Sequence, residues 1–258
     1  MSKKAVLIQT PAFMFDLFKV FYHEAKKFNF FDKFYIVTDS KENSLGEDCT
    51  LIRLDKDREF GSNMISALKY VEEDIFMVCC EDHILLEKNN VDEWTKCFDK
   101  FCKTPDMGFL RLTNTKKKVL PLNGKDSISD NIFPIATKYR YYISLQPALW
   151  RKDYFRFILE DGWNSKQFEW QGAKKSRRAV RNNRSPKGLR SYSVDDTVIF
   201  RTNLSKEQSG YYRNKFVDYA LKYNLPIDKS KKIKCRDGLF SFDEYVREFS
   251  KEKNEHKS

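Results

Sequence analysis

Ile75-Phe76-Met77-Val78-Cys79-Cys80-Glu81-Asp82-His83 carries the clearest fold signal in the chain. Six apolar residues run without a break and stop at two carboxylates. A run this short and this apolar reads as a strand buried on both faces, which belongs in a mostly parallel sheet covered by helices on both sides. Working outward, the same pattern recurs at Ala5–Thr10, ended by Pro11, at Phe34–Thr38, ended by Asp39, and at Leu51–Leu54 and Met107–Leu112. Helical spacing fills the gaps. Leu17, Phe18, Phe21, Tyr22, Ala25 and Phe28 form one apolar face, and Met64, Ile65, Ala67, Leu68 and Val71 another, with Ser62 as the expected cap. Val91–Cys102 carries Trp94, Phe98 and Phe101. Strand-helix-strand alternation of this kind predicts the α/β class.

Ligands of such sheets bind beyond the carboxyl ends of the strands. Asp39 and Glu81-Asp82 both stand at predicted carboxyl ends, which makes them candidate site residues. A carboxylate following a buried strand is costly unless it holds a cation or accepts hydrogen bonds. A divalent ion such as Mg²⁺ or Mn²⁺ uses one or two protein carboxylates together with phosphate oxygens. Solvated turn acids are the alternative reading of the same residues, and for Asp39 an ordinary Thr38-Asp39-Ser40 turn.

Beyond Met107–Leu112 the pattern is less regular. Lys116–Asn131 is polar and reads as a loop. Tyr139–Leu145 reads as an aromatic strand ended by Gln146-Pro147, and Trp150–Leu159 and Ser165–Gly172 as short helices. Val198–Phe200 reads as a strand, and Lys206–Tyr223 and Phe242–Phe249 as helices, with a charged tail after Ser250. Between positions 174 and 190 eight cations and no acid occur, and Pro186 and Gly188 predict a loop rather than one long helix. Arg177 or Arg178 would suit a diphosphate, and Lys174, Lys175, Arg181 and Arg184 a polyanionic acceptor. A solvated charged surface is the competing reading. Glu169, between Phe168 and Trp170, is the best candidate for a base that takes a proton from an acceptor hydroxyl; Asp195-Asp196 ranks second. An exposed helical glutamate is the alternative. Tyr142, Gln146 and Trp150 either line an acceptor site or pack in the core.

Several of these segments together resemble the GT-A-fold nucleotide-sugar glycosyltransferases of bacteria and bacteriophages. The apolar strand and acidic turn of 75–87 resemble that family's strand and D-x-D-like turn. Gln9-Thr10-Pro11, Phe60-Gly61-Ser62, Ser144–Trp150 and Phe168-Glu169 resemble further elements of it, so the likeness runs from about Ala5 to Arg178. A strict D-x-D is absent, because His83 occupies the third place. The resemblance implies a GT-A-like chain with a nucleotide-sugar half over 1–112, an elaborated acceptor-side half over 113–205 and C-terminal helices and tail over 206–258. It implies a donor site of Gln9, Thr10, Pro11, Asp39, Gly61, Ser62, Glu81 and Asp82, and a divalent cation, Mn²⁺ or Mg²⁺, on Asp82 and His83. Asp82 and Glu169 would then be the catalytic residues, with Tyr142 and Gln146 on the acceptor side.

The bulk numbers bound these readings. With 258 residues and 41% apolar content the chain can bury one core. No stretch approaches the roughly 20 apolar residues of a membrane helix. Ala5–Ile8 is too short for the apolar part of a signal peptide, so a cytoplasmic enzyme is expected. The six cysteines show neither a C-x-x-C spacing nor a disulfide framework. The formal charge of +11 points to a polyanionic partner. The favoured acceptor is hydroxymethylated cytosine in phage DNA, which would have to be flipped from the duplex; a pentose donor, as in DNA arabinosyltransferases, stays open. The alternatives are a transferase acting on lipopolysaccharide or capsule sugars, a nucleotidyltransferase, and a non-catalytic nucleic-acid-binding protein.

Overall fold

The computed structural model describes residues 3–43, 45–54, 59–80, 91–113, 131–194, 211–222, 227, 229–235 and 238–255. Its elements in chain order begin with β1 (Ala5–Gln9), α1 (Phe15–Lys27), β2 (Lys33–Thr38), β3 (Cys49–Arg53), α2 (Phe60–Ala67) and β4 (Ile75–Cys80). They continue with α3 (Val91–Lys103), β5 (Met107–Arg111), β6 (Ile132–Pro134), β7 (Ala148–Arg151) and α4 (Lys152–Ile158). Next come α5 (Ser165–Gln167), a π-helical turn over Phe168–Gly172, α6 (Ala173–Arg181) and β8 (Arg190–Val194). The last are β9 (Tyr211–Arg213), α7 (Asn214–Lys222), β10 (Lys232–Cys235), β11 (Gly238–Phe240) and α8 (Phe242–Glu255).

Eight strands form one mixed sheet in the order β3-β2-β1-β4-β7-β5-β8-β6. The four strands β3, β2, β1 and β4 are mutually parallel, β5 pairs in parallel with β8, and β7 and β6 run against their neighbours. The apolar run at 75–80 behaves as its composition requires. Ile75, Met77 and Cys79 enter the core on one face of the sheet, and Phe76 and Val78 enter the core on the other. The two-residue period therefore serves two buried faces at once. The first core is closed by the buried faces of α1 and α3, where Trp94 Nε1 donates to the Phe30 carbonyl at 2.9 Å. The second is closed by α2, α4 and the helical stretch from 165 to 181.

Two sequence expectations are corrected here. Tyr139–Leu145 is a chain of turns, and the strand is β7, so Trp150 lies in a strand and the helix begins at Lys152. The reason is non-local pairing, since Trp150 stands opposite both Phe76 and Phe109. The basic stretch is helical over Ala173–Arg181, with Ala173, Ser176 and Ala179 buried at helical spacing; Pro186 and Gly188 break the chain only after it. The expectations for Lys116–Asn131 and Val198–Phe200 lie outside the described residues, apart from Asn131 itself, and so does Asp195-Asp196.

A smaller three-stranded sheet, β11-β10-β9, packs with α7 and α8 on Met14, Leu17 and Val20 of the α1 region. Lys231 Nζ reaches the Asp16 carboxylate at 3.1 Å and the Phe13 carbonyl. The expected helix at 206–223 is shorter, starting at Asn214 after β9. No helix among the described residues is long and apolar enough to cross a membrane.

Candidate functional site

The chain builds β1, β2 and β3 to one side and then returns to place β4 on the other flank of β1. Neighbouring loops at the carboxyl ends of β1 and β4 diverge at such a switch point and leave a crevice. A cleft of about 400 Å³ occupies that position. Its walls are Gln9, Thr10 and Pro11 after β1, Val37, Thr38 and Asp39 at the end of β2, and Cys79 and Cys80 at the end of β4. Glu59, Phe60 and Asn63 of the α2 region, together with Leu145, Asn164 and Ser165, close the opposite side.

Two polar atoms of this wall have no hydrogen-bond partner among the described residues. Gln9 Oε1 and Thr10 Oγ1 are both buried and unsatisfied. A buried polar atom left unpaired costs about 1–3 kcal/mol, which makes the two of them bordering one cleft candidates for contact with a polar ligand. The rest of the wall is tightly made. Thr10 N donates to the Val37 carbonyl at 2.9 Å, and Ala12 N donates to Asp39 Oδ1 at 2.6 Å, which ties the β1 loop to the β2 loop. Ser40 N donates to Thr38 Oγ1 and Glu42 N to Ser40 Oγ, so this turn is held by its own side chains.

Gly61 and Ser62 stand beside the cleft rather than in its wall. Gly61 N donates to the Trp163 carbonyl at 2.7 Å, and Ser62 Oγ accepts from Gly162 N at 2.9 Å. The expected helix cap is Glu59 instead of Ser62, and the Ser62 hydroxyl ties α2 to the 160–163 loop. A Cβ at Gly61 would collide with the Glu160 carbonyl oxygen. Gly61→Ala is therefore expected to cost about 1–3 kcal/mol, because backbone has to give way. The measurement is thermal unfolding, and an unchanged Tm would show that α2 and this loop are not in contact.

Glu169 lies in the π-helical turn, and its Oε1 accepts from Leu145 N at 2.8 Å. Leu145 is a cleft residue, so the carboxylate sits one residue behind the wall. Of its flanking rings, Phe168 is fully buried against Phe60, Trp150 and Phe155, whereas Trp170 is exposed. Behind Glu169 is Arg111, at the end of β5 and only 1% exposed. Its guanidinium donates to the Tyr141 carbonyl, while its Nε has no hydrogen-bond partner among the described residues. Burial pushes the Arg111 pKa down to about 10, against the Tyr139 and Glu169 neighbours that favour its charged form. It therefore stays cationic at neutral pH and holds the 139–145 segment by charge.

The other expected residues are scattered. Tyr142 is buried, its hydroxyl accepting from Ser191 N, so it is a core residue and not a cleft wall. Gln146 Oε1 accepts from Thr113 Oγ1. Arg177 donates to the carbonyls of Ala173 and Tyr139, and Arg181 to that of Thr137. Lys175 pairs with Glu160. Lys174, Arg178 and Arg184 are exposed. Arg177 and Arg178 are not among the described residues that line the cleft. Glu81, Asp82 and His83 lie outside the described residues. Among the described residues no group of three His, Cys, Asp or Glu could hold a metal ion.

Sequence reading missed Phe13, Asn63, Asn164 and Ser165 as wall residues. Asn164 had a signal, because Asn164-x-x-Gln167 is a capping box. Asn164 Oδ1 accepts from Gln167 N and Gln167 Oε1 accepts from Asn164 N, both at 2.9 Å.

No family model matches this sequence, and no curated protein does. Among solved structures, the 1–349 fragment of S. aureus TarS matches with a TM-score of 0.52 at 12% identity, over 76% of this chain and 59% of that one. The chain has the α/β fold of TarS. It spans about three-fifths of that fragment. The mannosyltransferase PcManGT from Pyrobaculum calidifontis, in complex with GDP-Man and Mn²⁺, gives a TM-score of 0.49 at 10% identity, over 80% of this chain and 58% of that one. The TarS fragment in complex with UDP-GlcNAc gives 0.48 at 11% identity, over 81% and 61%. What is shared with the TarS fragment is a mixed sheet flanked by helices.

Proposed function

We propose that this chain is a glycosyltransferase that moves a sugar from a nucleotide-sugar to a hydroxyl of a surface polysaccharide, of the lipopolysaccharide or capsule class. The observation that carries the reading is the cleft at the switch point of the sheet, with Gln9 Oε1 and Thr10 Oγ1 buried in it and unpaired. An amide oxygen and a hydroxyl side by side are hydrogen-bond partners for the edge of a base. Asp39 stands on the same wall, with one carboxylate oxygen used by Ala12 N and the other suited to a ribose hydroxyl. TarS, whose fold the chain shares, has been seen with UDP-GlcNAc, which supports a nucleotide-sugar donor.

In this reading Glu81 and Asp82 follow Cys80, a cleft residue, and serve the diphosphate. Asp82 and His83 are the residues that would hold a divalent cation, whose charge would stabilise the departing nucleoside diphosphate. Glu169 would take the acceptor proton, on the side of the cleft closed by Leu145 and Asn164.

DNA as the acceptor is the second reading, and the charge of +11 is the observation in its favour. The helical form of 173–181 weakens it, because Lys175, Arg177 and Arg181 are already engaged by Glu160 and by the carbonyls of Tyr139 and Thr137.

The test is thermal unfolding against UDP-, GDP- and CDP-sugars, each with and without Mn²⁺. One nucleotide family at about a hundred times its Kd is expected to add about 2.7 kcal/mol of stability, a rise in Tm of about 5–10 °C for a chain of this size. Turnover with that donor should release a nucleoside diphosphate. Stabilisation by none of them, or release of pyrophosphate, would remove this reading.

A further inference from the structure

The cations of the basic helix sort into two sets. Lys175, Arg177 and Arg181 are tied to Glu160 and to backbone carbonyls. Lys166, Lys174 and Arg178 are exposed, and none of them makes a hydrogen bond or ion pair among the described residues. These three stand at a four-residue spacing with Trp170, which is 58% exposed. In an α-helix a four-residue repeat drifts by about 40° per step around the axis. Here the repeat crosses the π-helical turn at Phe168–Gly172, whose wider winding takes up that drift. Lys166, Trp170, Lys174 and Arg178 therefore form a row along the exposed side of the helical stretch, which turns by about 40° at its last step because that step lies wholly in α6. The row starts beside Asn164 and Ser165, which are walls of the cleft.

We propose that this row binds an acidic polysaccharide chain and leads it to the cleft, so that the acceptor carries regularly spaced carboxylates or phosphates. This rests on the glycosyltransferase reading given above. Lys166 and Lys174 stand about 12 Å apart along the helix and Lys174 and Arg178 about 6 Å, a spacing that meets anionic charge repeated along a chain, and the indole between the first two stacks on the face of one sugar ring. The two other classes of anionic partner fit less well. A nucleic-acid strand held without base readout stacks successive bases on successive rings, and this row has a single ring. A helix lying on a lipid surface buries an apolar face in it, whereas the apolar face of this helix, with Phe168, Ala173 and Ala179, is in the protein core.

The experiment measures binding of the intact protein to fluorescent polysialic acid, with neutral dextran, single-stranded DNA, duplex DNA and vesicles containing phosphatidylglycerol alongside. Wild type should bind polysialic acid with an affinity that falls as salt rises, and should not bind dextran. The triple variant K166E/K174E/R178E should weaken binding by about a hundredfold and Trp170→Ala by about tenfold. Lys187→Glu, whose lysine is off the row and paired with Asp153, should change it less than about twofold. The Tm without ligand should be the same in all of these proteins, which shows that they fold, and the nucleotide-induced rise is read separately and bears on the donor reading alone. No binding of polysialic acid, equal binding by the triple variant, or an unchanged affinity in Trp170→Ala would overturn the proposal. Tighter binding of DNA or of vesicles through the same residues would overturn it in favour of that partner.

Discussion

Asp82→Ala is expected to lower the rate of sugar transfer by about a thousandfold, while the free nucleoside still binds. The reason is electrostatic. The bond to the departing diphosphate breaks as negative charge collects on its oxygens, and stabilising that charge is worth several kcal/mol, with about 1.4 kcal/mol for each factor of ten. Asp82 is the second residue after the apolar strand, and His83 takes the place that a third acidic position would have in a D-x-D turn. Removing the carboxylate should therefore act on kcat and on the affinity for Mn²⁺ and should leave Tm close to that of wild type. The measurement is initial rates over a range of Mn²⁺ concentrations. A variant within threefold of wild type would take Asp82 out of the mechanism. A gain of DNA binding with no transferase activity in the parent would point to a nucleic-acid-binding protein instead.

Glu169→Gln carries the second large effect, because it separates chemistry from architecture. Glu169 Oε1 accepts from Leu145 N, and a glutamine can keep that bond through its own carbonyl oxygen. Fold and Tm should therefore hold, while proton transfer is lost and kcat falls by about 10²–10⁴-fold with KM little changed. Glu169→Ala should in addition lose stability, since Leu145 N is left without its partner and Arg111 without the carboxylate that favours its charge. If Glu169→Gln keeps full activity while Glu169→Ala melts at a lower temperature, the residue positions the cleft wall and takes no proton.

The first half of the chain is readable because its physics is local. A strand buried on both faces has to be apolar at every position, so 75–80, 5–9 and 34–38 announce themselves by composition. Helices α1 and α3 do so by the three- and four-residue spacing of their phenylalanines and tryptophan. The position of a cleft beyond the ends of such strands follows from the same rule, which is why Gln9, Thr10 and Asp39 stand out from residue order alone.

The second half hides its structure. Trp150 is equally at home in a helix or a strand, and only its two partners across the sheet, Phe76 and Phe109, put it in β7. Tyr142 carries the same chemistry whether exposed or buried, and Ser191, 49 positions away, takes it into the core.

The α/β class, the stronger strands and the acids at their ends are legible in residue order, because hydrophobic burial at a two- or four-residue period is a property of neighbouring residues. Long-range contacts are what bring Gln9 and Thr10 to one cleft, set Glu169 behind Leu145 and tie Lys175, Arg177 and Arg181 to Glu160, Tyr139 and Thr137. Those facts depend on which carbonyl, amide or ring arrives from a distant part of the chain, and no local pattern of residue types records that.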